Sequence, residues 1–261
     1  MMALDIGATG MQAQQHNVEV ISNNLANMNT TAYARRRAEF TDLLYQDLQR
    51  PGAQASDGGN ITPTGVQLGM GVKTQAVYRI AEQGSMQQTG NTFDLAIEGE
   101  GYFQVQKPNG DTAYTRDGAF QLSPEGQIVT HEGNTVLPGI TVPQEATDVT
   151  INKSGEVLAK LDGQTEPQNV GQIQIATFAN PAGLEAVGSN MLKETPASGQ
   201  ANVAVPGSAG YGSILQGFLE SSNVTAVQEI TNLVDAQRAY EMNSKSIQTS
   251  DQMMQTVTRM R

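Results

Sequence analysis

The sequence predicts an α+β protein in which N- and C-terminal α-helices pair as a coiled-coil-like stem, with a mainly antiparallel β domain inserted between them. Three observations carry this prediction: apolar residues recur every seven positions at both ends, short segments of period two fill the middle, and a stretch rich in Gly and Pro separates the two patterns. The predicted parts are residues 1–30 with 224–261 as the helical domain, 31–71 as an extended connecting arm with a long loop or hairpin, and 72–223 as a β-rich outer domain.

The N-terminal helix is predicted from two heptad columns within residues 1–28. One column is apolar and the other is mixed. The first contains Leu4, Met11, Val18 and Leu25, and the second contains Gly7, Gln14, Ile21 and Met28. The helix is expected to end between residues 27 and 30, where Asn and Thr side chains compete for backbone hydrogen bonds.

The C-terminal helix is predicted over residues 225–261, which contain neither Pro nor Gly. Thr225 and Gln228 have the spacing of a capping box. One heptad column is apolar, and the column four residues further on is mostly polar. The apolar column is Ala226, Leu233, Tyr240, Ile247 and Met254; the other is Ile230, Gln237, Ser244, Asp251 and Thr258.

These half-apolar seams bury too little for two helices alone. A fully buried large apolar side chain contributes about 1.5–3 kcal/mol, which barely offsets the entropy of ordering such long helices. Each helix therefore needs further neighbours, and copies from other chains are the simplest source, with seam amides fixing the register. The alternative is an ordinary two-helix stalk within one molecule.

The arm is predicted from composition. Residues 33–48 are mixed, and Phe40, Leu43 and Leu44 suggest a helical turn or an irregular extended segment. Residues 50–71 are rich in Gly and Pro, which indicates a long loop or a loose hairpin. Val66 and Leu68 belong to an alternating run, so one side of a hairpin is expected there.

The β domain is predicted from short segments of alternating or β-branched residues. Strands are expected at 77–80, 93–97, 102–105, 126–129, 149–151, 173–176 and 213–217. Turns are expected at Asn109-Gly110, Glu125-Gly126, Ser154-Gly155 and Asp162-Gly163, and a further one centred on Asp117-Gly118.

Composition argues against several function classes. The formal net charge of −11 disfavours nucleic acid as a partner, and the absence of Cys excludes disulfides and thiolate metal sites. No membrane span and no secretory signal is predicted. His16 and His131 lack metal-ligand spacing, and Glu98 with Glu100 is interpreted as a solvated surface. Gly99 begins only half of a dinucleotide fingerprint. We therefore predict no catalytic, cofactor-binding or metal site.

Six segments resemble the flagellar rod and hook axial protein family. Residues 22–27 (SNNLAN), with Thr30 following, resemble its N-terminal signature, and residues 237–245 (QRAYEMNSK) its C-terminal signature. Residues 99–105 and 114–120 resemble its central β domain. The segments at 49–54 and 65–72 are similar to the insertion of the distal-rod members. One departure is Ala32, where the family usually has Gly, so the expected kink is predicted to be made differently.

The resemblance implies a structural, non-catalytic subunit that polymerises with its own copies into the hollow distal rod and transmits torque. It implies export through the flagellar type III apparatus without a cleaved signal, and a place in the basal body across the periplasm. Proximal rod and hook proteins are the expected partners at its ends, and periplasmic and outer-membrane ring proteins around it, without nucleic acid or membrane insertion. The alternatives are a proximal rod or hook-family protein, or a stalked carbohydrate-binding β domain.

The heptads and the resemblance together predict the residues that meet neighbouring subunits. On the N-terminal helix these are Leu4, Met11, Val18, Ile21, Asn23, Asn24, Leu25 and Asn27. On the C-terminal helix they are Ile230, Leu233, Gln237, Arg238, Tyr240, Asn243, Ile247 and Met254. The inter-subunit arm residues are Pro51, Gly52, Gln54, Val66 and Leu68.

Overall fold

The computed structural model describes residues 2–49, 64–162 and 166–260, and the chain forms two compact units. The helical unit contains Met1–Ala26, Arg36–Arg79 and Thr225–Arg261, and the β unit contains Asn27–Arg35 with Ile80–Val224. Residues 72–79 belong to the helical unit, where their strand pairs with residues 36–42.

The two predicted terminal helices are confirmed. Helix α1 spans Met2–Ala26, and helix α2 spans Ala226–Arg259. The predicted capping box is wrong: Thr225 has the extended backbone of an N-cap but makes no side-chain cap bond. The Gln228 amide instead donates to Asn232 Oδ1 at 3.0 Å, one turn further along the helix.

The second seam column predicted on α2 is wrong by one residue. The buried positions are Glu229, Ala236 and Ser250, which follow the apolar column by three residues. In a heptad repeat, the inward-facing positions are separated alternately by three and four residues. In α2 the positions three residues after the apolar column, not four, face α1. The column predicted four residues on includes Ile230, which is 50% exposed, and Gln237, which is also exposed.

The arm is an antiparallel ribbon, which confirms the predicted hairpin in its described part. Its strands are β1 (Arg36–Asp42), β2 (Tyr45–Gln49), β3 (Val66–Gly69) and β4 (Val72–Arg79). Strand β1 pairs with β4 and β2 pairs with β3. The helical turn considered at residues 40–44 is therefore wrong. Pro51, Gly52 and Gln54 lie outside the described residues.

The β unit contains most of the strands. They are β5 (Met86–Gln88), β6 (Leu95–Glu98), β7 (Tyr102–Gln106), β8 (Thr112–Thr115), β9 (Phe120–Leu122), β10 (Ile128–Thr130), β11 (Thr135–Val136), β12 (Ala146–Ile151), β13 (Glu156–Leu161), β14 (Gln168–Gln172), β15 (Ile175–Thr177), β16 (Glu185–Gly188), β17 (Met191–Lys193), β18 (Asn202–Ala204), β19 (Ser213–Gln216) and β20 (Phe218–Glu220). A 3-10 turn spans Pro181–Gly183. Each predicted strand coincides at least in part with an observed one.

The largest sheet runs in the order β16-β17-β8-β7-β11-β10-β9, and β15 joins β7 to β18. Strands β12, β13 and β14 form a three-stranded sheet, while β19 pairs with β6 and β20 with β5. All of these pairings are antiparallel. Turns at Gly110, Gly126 and Gly155 have φ of 87°, 81° and 77°, as predicted. Gly163 of the fourth predicted turn lies outside the described residues.

The two units differ in their cores. A continuous apolar cluster fills the β unit, and Phe103 and Phe120 meet within it edge to face at 5.1 Å. A second cluster surrounds Tyr114 and Phe178. Among the described residues of the helical unit, the only buried apolar side chains are Ala13, Ile21 and Ala236. The helical unit therefore gains little stability from apolar burial within one chain.

Candidate assembly surface

Two glycines let α1 approach α2 closely. A Cβ placed on Gly7 would lie 2.7 Å from Ile247 Cγ1, and one on Gly10 would lie 3.0 Å from Asn243 Nδ2. Ile247 and Asn243 were predicted as subunit contacts, and both are half-buried against these glycines of their own chain. Part of each side chain remains accessible to a further neighbour.

A buried polar network joins both helices to the ribbon. The Asn24 amide donates to the Arg36 carbonyl at 2.8 Å and to Glu229 Oε2 at 3.1 Å, and its oxygen accepts from the Arg36 amide at 2.9 Å. Asn24 and Glu229 are 1% and 2% exposed. Because a buried carboxylate is costly unless it is hydrogen-bonded, this network fixes the register of the helices.

The exposed large apolar side chains concentrate in the helical unit. Among the described residues, the only ones outside that unit are Met28, Leu122, Val187 and Val203. The exposed set of the helical unit comprises Met2, Ile6, Leu44, Tyr45, Leu48, Val66, Leu68, Met70, Val77, Val227, Ile230, Val234, Tyr240, Met242, Met253, Met254, Val257 and Met260. We call this set the apolar surface. This concentration of exposed large apolar side chains in one unit makes the helical unit the candidate interaction surface.

The last turns of α2 are the least covered part of the helical unit. Every described residue from Asp251 to Met260 is exposed. The hydroxyls of Thr256 and Thr258 donate to the carbonyls of Gln252 and Met254 at 2.7 and 2.9 Å. Since these hydroxyl protons already have acceptors within the helix, removing water from this segment costs less than for free hydroxyls.

The other predicted interface residues fall into three groups, none of which establishes a contact with another subunit. Ile21 is buried. Half-buried are Leu4, Met11, Val18, Leu25, Asn27 and Leu233. Exposed are Asn23, Ile230, Gln237, Arg238, Tyr240, Met254, Val66 and Leu68. Glu229 was missed because an acidic residue at a seam position is not part of an apolar pattern.

An arginine-centred network holds the β unit together. Arg116 Nε lies 2.6 Å from Glu220 Oε2, and its other nitrogens donate to the carbonyls of Ile97, Gly99 and Gly101 at 3.3, 2.7 and 3.1 Å. Gly99 and Gly101 have φ of 106° and 147°. Residues 116–118 form no backbone turn, but the Ala119 amide donates to Asp117 Oδ1 at 3.1 Å, so the turn predicted around Asp117-Gly118 is present as an Asx turn made by the aspartate side chain.

Asn223 ties together three segments that are distant in sequence. Its side-chain oxygen accepts from the Arg35 amide at 2.7 Å, and its side-chain nitrogen donates to the carbonyls of Ile80 and Glu82 at 3.1 and 2.9 Å. The Ala32 amide also donates to the Glu220 carbonyl at 2.8 Å. These bonds fix residues 27–35 against the β unit.

Ala32 adopts a φ of 55°, so the kink is made at Ala32 itself, in the left-handed conformation. The prediction that Ala in place of Gly would require a different kink is wrong. The left-handed region costs an L-residue about 1–2 kcal/mol, and glycine's extra freedom in the unfolded chain returns about 0.4–1 kcal/mol of that. We expect Ala32→Gly to stabilise the β unit by about 0.5–1 kcal/mol, measured by urea unfolding. Ala81→Gly is the control: exposed Ala81 is outside that region, so this change should destabilise.

Burial raises the pKa of the Asp117 carboxyl above its ordinary value, and the nearby negative charge of Asp94 adds to this, although the Ala119 amide, His131 and the Asn190 side chain act in the opposite direction. The folded state therefore holds this proton more tightly than the unfolded chain. The protonated Asp117 carboxyl therefore contributes to the stability of the folded state at pH values below its pKa in the unfolded chain. This contribution is lost as pH rises through its pKa in the folded state.

The free energy of unfolding of Asp117→Asn, relative to that of the wild type, should consequently increase as pH rises. We expect the stability of the variant relative to the wild type to be highest near pH 7 and to fall as pH drops toward the ordinary aspartate pKa of about 3.9. Urea unfolding of both proteins at several pH values measures this difference. A difference that stays constant with pH would contradict it.

The described residues contain no group of three or more His, Cys, Asp or Glu side chains arranged to hold a metal ion. Among the helices they form, we find none with both the length and the apolar character that a bilayer crossing requires. His16 and His131 are both exposed, as are Glu98 and Glu100. The candidate functional surface of this chain is therefore the apolar surface of the helical unit.

Three family models match separate parts of the chain. Residues 4–33 match "Flagella basal body rod protein", residues 96–159 match "Flagellar hook protein FlgE/F/G D1 domain", and residues 215–260 match "Flagellar basal body rod FlgEFG protein C-terminal". The first and last matches include α1 and most of α2, and the middle match lies in the β unit.

Proteins described as "Flagellar basal-body rod protein FlgG" are similar to this chain along its whole length. The one from Caulobacter vibrioides is 59% identical and covers 100% of both chains. The one from Agrobacterium fabrum is 49% identical over 99% of each, and the one from Bacillus subtilis is 38% identical over 100% of this chain and 99% of its own. The chain therefore belongs to the FlgG family of flagellar basal-body rod proteins, which are structural proteins.

Proposed function

We propose that this chain polymerises with copies of itself into the distal part of the flagellar rod, a hollow shaft that transmits torque from the motor to the hook. The observation that carries the proposal is the unequal use of apolar side chains in the two units. The helical unit buries Ile21 as its only large apolar side chain among the described residues and exposes the whole apolar surface.

One chain alone leaves large apolar side chains of its helices uncovered. Packing of α1 against α2 and the ribbon leaves Ile230, Tyr240 and Val257 at 50%, 42% and 67% exposed. Covering each of these with a neighbouring chain would contribute about 1–2 kcal/mol at roughly 25 cal/mol per Å² of apolar area. Many such contacts per subunit support a polymer in which the helices of adjacent copies complete one another's cores.

The ribbon is proposed as the arm that reaches neighbouring copies. All five residues of β2 are exposed, and Leu44 and Leu48 beside and within it are 85% and 62% exposed. A two-stranded ribbon with apolar side chains exposed in this way is only marginally stable alone. Deleting residues 50–71 should leave export intact and make the rod softer or disordered; a rod of unchanged stiffness would refute the role of the arm.

The rod would also contact other flagellar proteins. Proximal rod and hook proteins would contact the ends of the polymer, and periplasmic and outer-membrane ring proteins would surround it. Export would use the flagellar type III apparatus without removal of a signal peptide. The relatives are named as basal-body rod proteins, which supports the basal body as the location.

Assembly of the purified full-length chain tests the proposal. We expect sedimentation velocity to show a mass that rises steeply above a threshold concentration, and electron microscopy to show tubes of uniform diameter above it. A chain that remains monomeric at high concentration would contradict the proposal. A small soluble oligomer that binds glycan would instead favour a stalked carbohydrate-binding protein.

A further inference from the structure

Methionine is unevenly distributed between the two kinds of apolar environment. The core of the β unit is built from Ile, Val, Leu and Phe. Met191, by contrast, is 7% exposed, and its sulfur accepts a hydrogen bond from Asn134 Nδ2 at 3.8 Å. Met191 is thus a buried methionine of the β unit, although it is not a member of the main apolar cluster.

Methionine is common among the exposed apolar residues from the middle of α2 to the residue after it. Met242, Met253, Met254 and Met260 are 66%, 59%, 44% and 79% exposed. We call these four the α2 methionines. Met254 and Met260 lie in the last turns, where every described residue is exposed. These thioethers are open to water-borne oxidants in the free chain, whereas Met191 is shielded.

We infer that the α2 methionines form an oxidation site that controls assembly; the effect on assembly rests on the proposed function. The oxidant class is hydrogen peroxide. The thioether sulfur attacks one peroxide oxygen, the O–O bond breaks, and the products are methionine sulfoxide and water. Sulfur is oxidised by two electrons and peroxide is reduced by two, with no other reactant.

The sulfoxide changes the property on which assembly depends. Methionine is a flexible apolar side chain that packs against varied partners, and its sulfoxide is strongly polar. Burying an unpaired polar group between subunits costs about 1–3 kcal/mol, which raises a dissociation constant by roughly 5- to 150-fold for each group. The oxidised monomer stays folded, because the α2 methionines are not part of a core within the chain.

The site should also be protected by assembly. In the polymer the neighbouring copy covers the face of α2, so the sulfurs lose access to peroxide. The free subunit is therefore the vulnerable form. A methionine sulfoxide reductase acting on the free subunit would restore it, since that reaction returns the sulfoxide to the thioether.

Peptide mass spectrometry after peroxide treatment of the full-length monomer tests the site. We expect the α2 methionines to be oxidised on the order of ten times faster than Met191. Sedimentation should then show that the oxidised wild type no longer assembles at concentrations where the untreated protein does, and that reductase treatment restores assembly.

The matched variant replaces all four α2 methionines with leucine, which conserves volume and apolar character. It should assemble like the wild type and should lose much less assembly after peroxide than the wild type does; Met2 and Met70, which are 40% and 49% exposed, remain oxidisable in it. Oxidation of the α2 methionines no faster than Met191, or oxidised wild type that assembles normally, would overturn the inference. So would a leucine variant that peroxide inhibits as strongly as the wild type. Failure of the untreated wild type to assemble would instead refute the proposed polymer, while the ratio of oxidation rates would still decide the site.

Discussion

Replacing Arg116 with alanine should destabilise the β unit by about 3–5 kcal/mol, because the change leaves a buried carboxylate without its cationic partner. The Glu220 side chain is 6% exposed and its carboxylate lies 2.6 Å from Arg116 Nε. Removal of the guanidinium also frees the carbonyls of Ile97, Gly99 and Gly101. For a unit of this size the melting temperature should fall by roughly 10 °C, measured by calorimetry.

The control is a second ion pair in the same unit. Lys193 Nζ lies 3.7 Å from Asp111 Oδ2, with both side chains about half exposed. Solvent screens such a pair, so Lys193→Ala should cost less than about 1 kcal/mol. Equal losses in the two variants would show that the Arg116 network contributes no more than a surface pair does.

Placing aspartate at both Ile230 and Val257 should abolish assembly while leaving the monomer folded. These side chains are 50% and 67% exposed in one chain, so a charge there remains hydrated and should change monomer stability by less than about 1 kcal/mol. If a neighbouring copy covers these positions, each aspartate carboxylate loses its hydration and gains no cationic partner. A penalty of about 3 kcal/mol raises the dissociation constant roughly 100-fold.

The matched control is Leu122→Asp, an exposed apolar residue of the β unit that is 39% exposed. It makes the same chemical change outside the helical unit and should assemble at the wild-type concentration. Sedimentation velocity gives the threshold for each protein, and circular dichroism checks the fold of the monomers. Normal assembly of the Ile230 and Val257 double variant would show that α2 does not form the contacts between subunits.

Much of the architecture follows from local patterns in the sequence. The two helices could be predicted because their apolar residues recur every seven positions, and the β3 side of the ribbon because Gly and Pro surround an alternating segment. Strands β1 and β2 were not predicted, because the composition of residues 33–48 is equally compatible with a helical turn. The second seam column was missed because its members include Glu229 and Ser250, whose side chains are polar. Their burial depends on what α1 places opposite them, and local patterning contains no information about that.

The polar networks could not be predicted from the sequence, because their partners are distant from one another along the chain. Asn24 and Glu229 are 205 residues apart, and Arg116 and Glu220 are 104 apart. A short segment such as Arg116-Asp117-Gly118 favours a turn, and only the fold brings the Glu220 carboxylate to it. At Ala32 the fold overrides a local preference. Long-range contacts, such as the bond from the Ala32 amide to the Glu220 carbonyl, hold this alanine at a φ of 55° that alanine itself disfavours.

Hydrogen exchange of the amides in α2, compared between the monomer and the polymer, tests most directly whether the helical unit is completed by neighbouring chains. Exchange reports local opening, which should be frequent where little apolar area is buried. We predict fast exchange over Ala226–Arg259 in the monomer, slow exchange in the β core of both forms, and strong protection of α2 on assembly. A monomer in which α2 is already as protected as in the polymer would contradict the account.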